Sequence, residues 1–536
     1  MMSPFSSPPV PDAVCSDESV RRRPRVQGVA HSIRDVCGLV GWGGMLLAVQ
    51  VAMGIAATGT VSAEQRPNVL WIITEDMGPE LSAYGTPEAS TPVLDDLASR
   101  GMLFERAFSV TPVCSTNRSS LMTGMYAFSI DAQNHRSHRN DDFHLPEGVH
   151  VITDYFRDAG YLTANVKQVA RQGDDPELWN AGGKTDWNFQ IDREPFDTDD
   201  WSDLKSEQPF FAQINFSESH RGGHWRDAQT RAEPKADPAK VKIPSYYPDH
   251  PLVREDWAEY LNAINVADQR VGYVLDRLEE DGLADDTIVM FFSDHGRAMV
   301  RGKQWPYDSG LQIPLIVHFG KNVQPPENYH PGSRDGRLVT SIDLAATALH
   351  LAGIDPPMLM QGRVFLGDGP IVMDRPYAFA GRDRGDETVD MIRTARDKRY
   401  RYIRNYYPER PYTQLNRYKR QSYPVLALMG YLNERGELQG PPARWFAPTK
   451  PAEELYDTLE DPYETVNLAD DPDHTAKLQE LRGVLEAWRV TINDQGRFPE
   501  DPAIIEASRQ KMERLHGANG LRTIEQVRAR IDAERN

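Results

Sequence analysis

The stretch Arg66–Glu80, "RPNVLWIITEDMGPE", holds a run from Asn68 to Thr74 that is almost wholly apolar or β-branched, then two acids, Glu75 and Asp76. A run without polar alternation reads as a parallel strand covered on both faces. Ligands in open α/β sheets gather beyond the carboxyl ends of strands, so acids at such a tip signal a metal site, the alternative being a solvated acidic turn. Two more runs repeat the pattern. Thr287–Phe292, "TIVMFF", ends in Ser293-Asp294-His295-Gly296, and Phe210–Phe216, "FFAQINF", delivers His220. These strands predict an α/β protein built on a large, mostly parallel central sheet flanked by helices.

At 536 residues the chain is long enough for such a core and an appended subdomain, and its 40% hydrophobic content is ordinary for a folded protein. The net charge of -19, without a basic stripe interleaved with aromatics, argues against nucleic acid as a partner. An anionic substrate would need a local basic pocket against that background. Arg21, Arg22, Arg23 and Arg25 precede the apolar run "GLVGWGGMLLAVQVAMGIAATGT", which ends at Val61-Ser62-Ala63. This reads as an export leader, residues 1–63, cleaved before Glu64 and leaving a periplasmic or secreted protein. The alternative is an uncleaved anchor, the one route to a membrane.

The cysteines are Cys15, Cys37 and Cys114, so the mature chain would keep one thiol and no internal disulfide. Such a thiol is either inert and buried or reactive. Its surroundings, "VTPVCSTNRSSLMTGM" (110–125), make a poor core segment and a good helix start with polar caps, Leu121, Met122 and Met125 fitting the inner face. A side chain at that start lies near free backbone N–H groups, and Arg118 adds a positive charge one turn on, so anion chemistry is favoured there.

Taken with the strand tips, Cys114-Ser-Thr-Asn-Arg118 and Leu121-Met-Thr123-Gly124 resemble the signature of the type I sulfatases of the alkaline-phosphatase-like superfamily, Cys-x-Pro-x-Arg and Leu-Thr-Gly, with Thr116 where proline is usual. The resemblance implies that a maturation enzyme converts Cys114 to formylglycine, an aldehyde whose hydrate attacks sulfur to give a covalent sulfo-enzyme. It implies one calcium ion, Ca2+, held by Glu75, Asp76, Asp294, His295 and residue 114, with Glu75 standing for the usual aspartate. Arg118, Lys303 and a further lysine would bind sulfate, and His220 would serve the leaving group. Asp308 and Ile313-Pro314-Leu315 match the family too, although Gln312 stands where arginine is common. For the further lysine, Lys184 in "GGKTDWNF" suits the motif better than Lys167 in "AGYLTANVK"; Asp186 would then replace a histidine, and is one possible base for sulfate release.

Downstream, "TSIDLAATALHLAGI" reads as an amphipathic helix, "MIRTARDKRYRYIRNYY" as a hairpin, and "LQELRGVLEAWRVTI" as a helix after "EELYDTLED". By resemblance these belong to an alkaline-phosphatase-like sandwich and a smaller C-terminal antiparallel-sheet subdomain. The expected division is a leader 1–63, a catalytic domain 64–375, an α+β subdomain 376–500 and a charged helical tail 501–536 without readable chemistry. His135, Arg136, His138 and Arg139, with Arg382, Asp383 and Arg384, mix acids and bases in a way that suits sugars carrying anionic groups. The chain looks most like heparan N-sulfatases and bacterial polysaccharide sulfatases, which implies a sulfated saccharide contacted by His135, His138, Arg382 and Arg384. The rival readings are a phosphate or phosphonate ester hydrolase, an exported glycan-binding pseudoenzyme and a membrane-tethered transferase.

Overall fold

Strand β1 (Asn68–Thr74) is buried along its whole length in the computed structural model, which describes residues 66–139 and 141–535. The expected export leader lies outside these residues. Successive side chains of β1 enter different cores: Leu70 and Ile72 join Ala212, Ile214, Val289 and Phe291 on one face, whereas Val69, Trp71 and Ile73 join Phe211, Ile288, Met290 and Phe292 on the other. A strand with two covered faces needs an unbroken apolar run, because its side chains alternate between them. Trp71 packs edge-on against Phe211 and Phe292, with ring centroids 5.1 and 5.3 Å away.

The remaining strands of the large sheet are β2 (Met102–Phe108), β3 (Leu162–Gln168), β4 (Thr198–Asp200), β5 (Phe210–Phe216), β6 (Thr287–Ser293), β7 (Gln312–Ile313), β8 (Leu315–Phe319) and β9 (Arg334–Thr340). Their order is β4-β3-β5-β1-β6-β8-β2-β7, with β9 beside β2. The block from β4 to β6 is parallel throughout; β8 runs antiparallel to both β6 and β2. The expected α/β layout is thus present, with two reversed strands, β7 and β8, that make the sheet mixed. Helices cover both faces. On one side lies Pro251–Glu280, which buries Leu261, Ile264, Val271 and Val274; on the other lies Ser341–Leu351, which opens with a capping box between Thr340 and Asp343.

A second, antiparallel sheet follows: β10 (Ala378–Arg382), β11 (Ile392–Arg396), β12 (Tyr400–Asn405) and β13 (Glu453–Asp457) in sequential order. The helix Thr475–Thr491 lays Leu478, Leu481, Leu485 and Trp488 against its Ala395, Tyr402 and Leu455. Asp308 ties the two sheets together by accepting from Arg396 Nη2 at 2.9 Å and Arg401 Nε at 3.1 Å. The C-terminal helix Pro502–Arg535 docks rather than trailing free. Its Thr523 hydroxyl donates to Gln421 O at 3.0 Å, and its Asp532 accepts from the Tyr431 hydroxyl at 2.6 Å. Among the described residues no helix is long and apolar enough to cross a membrane.

Candidate active site

Register brings the acids together. Thr74 of β1 pairs with Ser293 of β6 and Phe216 of β5, so three parallel strands end level with one another. Backbone bonds extend that alignment past the sheet: Asp294 N donates to Thr74 O at 3.0 Å and Glu75 N to Phe216 O at 2.9 Å. Asp76 then takes a left-handed backbone, φ 54°, a conformation that costs an L-residue about 1–2 kcal/mol. It is held there by donation from its own N–H to Asp294 Oδ1 at 3.0 Å and from Met77 N to Ser293 Oγ at 3.0 Å. The turn puts both carboxylates into the space in front of the sheet.

Cys114 reaches that space from the other side, as the first residue of the helix Cys114–Thr123. The expected polar cap is absent, since Val113 occupies the N-cap position without a side-chain bond. Nor is one face of the helix left to solvent. All its residues are buried, and its serine hydroxyls are satisfied internally: Ser119 Oγ donates to Ser115 O and accepts from Asn188 N, while Ser120 Oγ donates to Thr116 O and accepts from Ala127 N. Thr116 shares a 2.6 Å bond with the Thr111 hydroxyl and lies 3.0 Å from Val113 O.

The Cys114 sulfur lies 3.3 Å from Lys303 Nζ, 3.3 Å from His295 Nε2 and 3.7 Å from Asp76 Oδ1. Lys303 donates to both oxygens of Asp76, at 2.8 and 2.9 Å, and His295 Nε2 lies 2.9 Å from Asp76 Oδ1. Arg118 donates through Nε to Asp294 Oδ2 at 3.1 Å and through Nη1 to Asn215 Oδ1 at 2.6 Å; its Nη2 is buried without a hydrogen-bond partner. Lys184 Nζ donates to Glu75 Oε2 at 2.6 Å, and His220 Nε2 stands 4.0 Å from Asp76 Oδ2.

Charge pairing outweighs burial for most of these groups. Burial alone would push the Cys114 thiol up, but Lys184 and Lys303 hold it below the ordinary thiol range. Burial would likewise raise Asp294, yet His295, Arg118 and Lys184 bring it to about 2. His295 goes the other way: burial disfavours its charge, and Asp294 and Asp76 overcome that and push it up to about 10. Its ring atoms fit an imidazolium, Nδ1 lying 2.9 Å from Gly296 O while Nε2 faces Asp76. His220 is held down to about 4 by burial and by Lys303, so it is neutral at rest.

Asp76, Cys114, Asp294 and His295 each offer a ligand atom, and these atoms all lie within 4.8 Å of one another. Two oxygens on one calcium ion, each about 2.3–2.6 Å from it, can be no more than roughly 5 Å apart, so the spacing fits a single ion. The donor chemistry fits only in part, because a hard cation takes oxygen whereas residue 114 offers sulfur and His295 nitrogen; replacing the sulfur by oxygen would improve the fit. A cation on the same carboxylates would also reverse the field that keeps His295 protonated.

The other candidate residues are placed outside this cluster. Glu75 is not among the clustered donors. Its longer side chain carries the carboxylate to Lys184, with Arg118 Nη2 4.0 Å away. Lys167 is not part of the site, since it pairs with Asp199 at an exposed position. Asp186 is clamped by Arg139 and faces Arg136 at 3.9 Å, which makes it a poor base. Arg382 and Arg384 are committed to internal partners: the first donates to Gln304 O at 2.8 Å, and the second forms a forked pair with Glu500 at 2.5 and 2.9 Å. His135 is 4% exposed and lies 3.0 Å from Asp386, and His138 stacks on Phe143 with its Nδ1 2.9 Å from Asp141. None of the four is presented to a ligand as a sugar contact would be. Asn215, at the tip of β5, was legible by the same strand-end argument as His220 and was missed. Tyr418, whose ring lies under Lys303 Nζ at 5.7 Å, gave no signal.

Comparison with known proteins gives the family. The sulfatase family model matches residues 67–354, and the model for the C-terminal part of N-sulphoglucosamine sulphohydrolase matches residues 296–422. An ulvan-active sulfatase of Formosa agariphila is 33% identical over 485 residues, covering 82% of this chain and 77% of that protein. Human N-sulphoglucosamine sulphohydrolase is 26% identical over 500 residues, 84% of this chain and 95% of that one. Among solved structures, a 2-O GAG sulfatase superposes with a TM-score of 0.56 at 20% identity, covering 82% of this chain and 96% of its own. The phosphonate monoester hydrolase of Agrobacterium radiobacter gives 0.54 at 20%, with 80% and 96% covered, a likeness of fold alone. On the length and identity of these matches, the chain belongs to the sulfatase family, with the alkaline-phosphatase-like fold, and is a sulfatase.

Proposed function

We propose that this sulfatase removes sulfate from a sulfated saccharide, with residue 114 as formylglycine and one calcium ion held by Asp76, Asp294 and their neighbours. The carrying observation is that the Cys114 sulfur lies within 3.7 Å of the carboxylate of Asp76, the ammonium of Lys303 and the imidazole of His295. The modified side chain, the metal donors and the anion-binding cations thus meet at one point. The names of the relatives, an ulvan-active sulfatase and N-sulphoglucosamine sulphohydrolase, support a saccharide as the substrate.

Formylglycine, when present, supplies a hydroxyl nucleophile that a thiol cannot. Calcium, when bound, supplies Lewis-acid polarisation of a sulfate oxygen. The chain's own residues do the rest. Lys184, Lys303 and the free Nη2 of Arg118 neutralise the sulfate oxygens as negative charge grows on them. His220, neutral at rest, gains proton affinity from the anion beside it and protonates the leaving alcohol. Burial of all three carboxylates keeps water from screening these charges.

The division into catalytic domain 64–375, second-sheet subdomain 376–500 and tail 501–536, and export through residues 1–63, belong to the same reading, as does a maturation enzyme acting on Cys114. The test is sulfate release from sulfated oligosaccharides set against phosphate release from phosphate and phosphonate esters by one preparation. Faster sulfate release supports the reading. Faster phosphate turnover, or glycan binding without any turnover, defeats it.

A further inference from the structure

Lys303 is held at its backbone as closely as at its ammonium. Its N–H donates to Arg297 O at 2.8 Å, and its carbonyl accepts from Lys419 Nζ at 2.7 Å. The next residue, Gln304, is 2% exposed and takes a left-handed backbone, φ 72°, which an L-residue keeps only where its surroundings hold it. Each of its polar atoms is bonded to a different residue. The N–H donates to Pro112 O at 2.6 Å, two residues before Cys114, and the carbonyl accepts from Arg382 Nη1 at 2.8 Å. In the side chain, Nε2 donates to Asp386 Oδ2 at 2.9 Å and Oε1 accepts from Asn416 Nδ2 at 3.1 Å.

The partners are fixed in their turn. Asp386 Oδ1 lies 3.0 Å from His135 Nδ1, and the Arg382 guanidinium lies 4.7 Å from the centroid of the Trp305 ring. Asn416 Oδ1 accepts from Lys419 N at 2.9 Å, capping the helix Arg417–Ser422, and that helix supplies Lys419 to the Lys303 carbonyl. Gly385 approaches so closely that a Cβ there would stand 3.0 Å from Gln304 Cδ. The segment from Arg382 to Asp386, which reads in sequence as a sugar contact, thus encloses Gln304. Lys303 Nζ and the Cys114 sulfur are 3.3 Å apart, and the backbones that carry them meet in the bond from Gln304 N to Pro112 O.

We propose that Gln304 is a positioning residue for the sulfatase reaction: its bonds to Pro112, Arg382, Asp386 and Asn416 set the place of the Lys303 ammonium against residue 114. The proposal rests on the reading of Lys303 as a sulfate-contacting cation. A lysine stem is flexible, so an ammonium keeps one place only if its backbone does. A displacement of about 1 Å at a group that acts on the transition state costs about 10²-fold in rate. The segments 382–386 and 416–419 then serve turnover without touching substrate.

The test exchanges donor and acceptor. Gln304→Glu keeps the shape of the side chain and its acceptor for Asn416, but sets a carboxylate against that of Asp386. Adding Asp386→Asn moves the charge from one side chain to the other, leaves an oxygen for His135 and restores a bond, now donated from residue 386 to residue 304. Turnover of 4-nitrophenyl sulfate by the mature full-length enzyme is counted per converted residue 114, measured by peptide mass spectrometry, and Tm is followed alongside. Gln304→Glu is expected to lower kcat by about 10–10² with KM within about threefold, and the double variant to return kcat to within about threefold of the wild type. Asn416→Asp keeps the helix cap and loses only the donation to Gln304; it should lower kcat about tenfold, and it carries the test if Gln304→Glu does not fold. Wild-type kcat in either folded single variant, with or without a lowered Tm, would overturn the positioning role and leave the sulfate pocket standing. So would a loss confined to KM, or a loss in kcat that the double variant does not recover. Fully converted wild-type enzyme that releases no sulfate would bring down the reading of that pocket, and the proposal with it.

Discussion

Lys303 Nζ sits 2.8 Å from one carboxylate oxygen of Asp76 and 2.9 Å from the other, so one ammonium occupies both oxygens of a carboxylate that is 0% exposed. The pair holds Asp76 well below the ordinary aspartate range against the opposing effect of burial. A divalent cation and the lysine therefore draw on the same oxygens. With calcium bound as proposed, its affinity would depend on how readily Lys303 lets go, and removing that charge would favour the metal.

Lys303→Met should accordingly bind calcium more tightly than the wild type while losing turnover. Titration calorimetry gives the affinity, and the calcium-induced rise in Tm gives an independent reading, since a ligand at about 100 times its Kd adds about 2.7 kcal/mol. Asp294→Asn should abolish that calcium-dependent rise. Weaker calcium binding by Lys303→Met would mean that the lysine helps to build the metal site rather than competing with the ion.

His220 is separable from the sulfate-binding cations by the leaving group. A sugar alcohol needs a proton as it departs, whereas 4-nitrophenolate leaves unaided. His220→Ala should cost about 10²–10⁴ in kcat on a sulfated saccharide and far less on 4-nitrophenyl sulfate. Equal losses on both substrates would assign His220 to sulfate binding instead.

The two lysines offered by the sequence divide just as cleanly. Lys184 Nζ lies in the pocket 2.6 Å from Glu75, and Lys167 Nζ lies outside it, 3.0 Å from Asp199. Lys184→Ala should lower kcat/KM by about 10²–10³, the cost of one transition-state donor. Lys167→Ala removes an exposed ion pair and should leave kcat/KM within about twofold.

Far from the site, Asp268 is 1% exposed and accepts from Leu94 N at 2.8 Å and Val93 N at 3.2 Å. Burial pushes its carboxyl up to about 7, more than these two N–H groups pull it down. The folded protein thus holds this proton more tightly than the unfolded chain. Its contribution to stability is fullest below the ordinary value of 3.8 and is lost as pH rises through about 7. Urea unfolding between pH 4.5 and 8 should show that slope in the wild type, worth about 2–4 kcal/mol at most, and a flatter profile in Asp268→Asn. An unchanged slope in the variant would place the titration elsewhere.

Much of this was legible because the central strands are buried on both faces, and only an unbroken apolar run satisfies that. β1, β5 and β6 announce themselves in this way, and their tips mark the site. The helix Cys114–Thr123 was harder, since burial of so polar a segment depends on partners such as Asn188 and Ala127 that lie far from its serines in sequence or beyond its end. Glu75 reaches Lys184 rather than the clustered donors, because an extra methylene changes which partner a carboxylate reaches. Arg382 and Arg384 read in sequence as sugar contacts; Gln304 and Glu500, to which they donate, come from distant parts of the chain. The C-terminal helix has no strong apolar stripe, so its docking on Gln421 and Tyr431 through polar contacts left no periodic trace.

The central claim is that residue 114 acts as an oxygen nucleophile and not as a thiol. Mass spectrometry of the peptide spanning residue 114, taken from enzyme that is releasing sulfate, tests it most directly. The account predicts an aldehyde or its hydrate in place of the sulfur, in a fraction that tracks specific activity across preparations. A fully intact thiol in enzyme that turns over at its highest rate would contradict it.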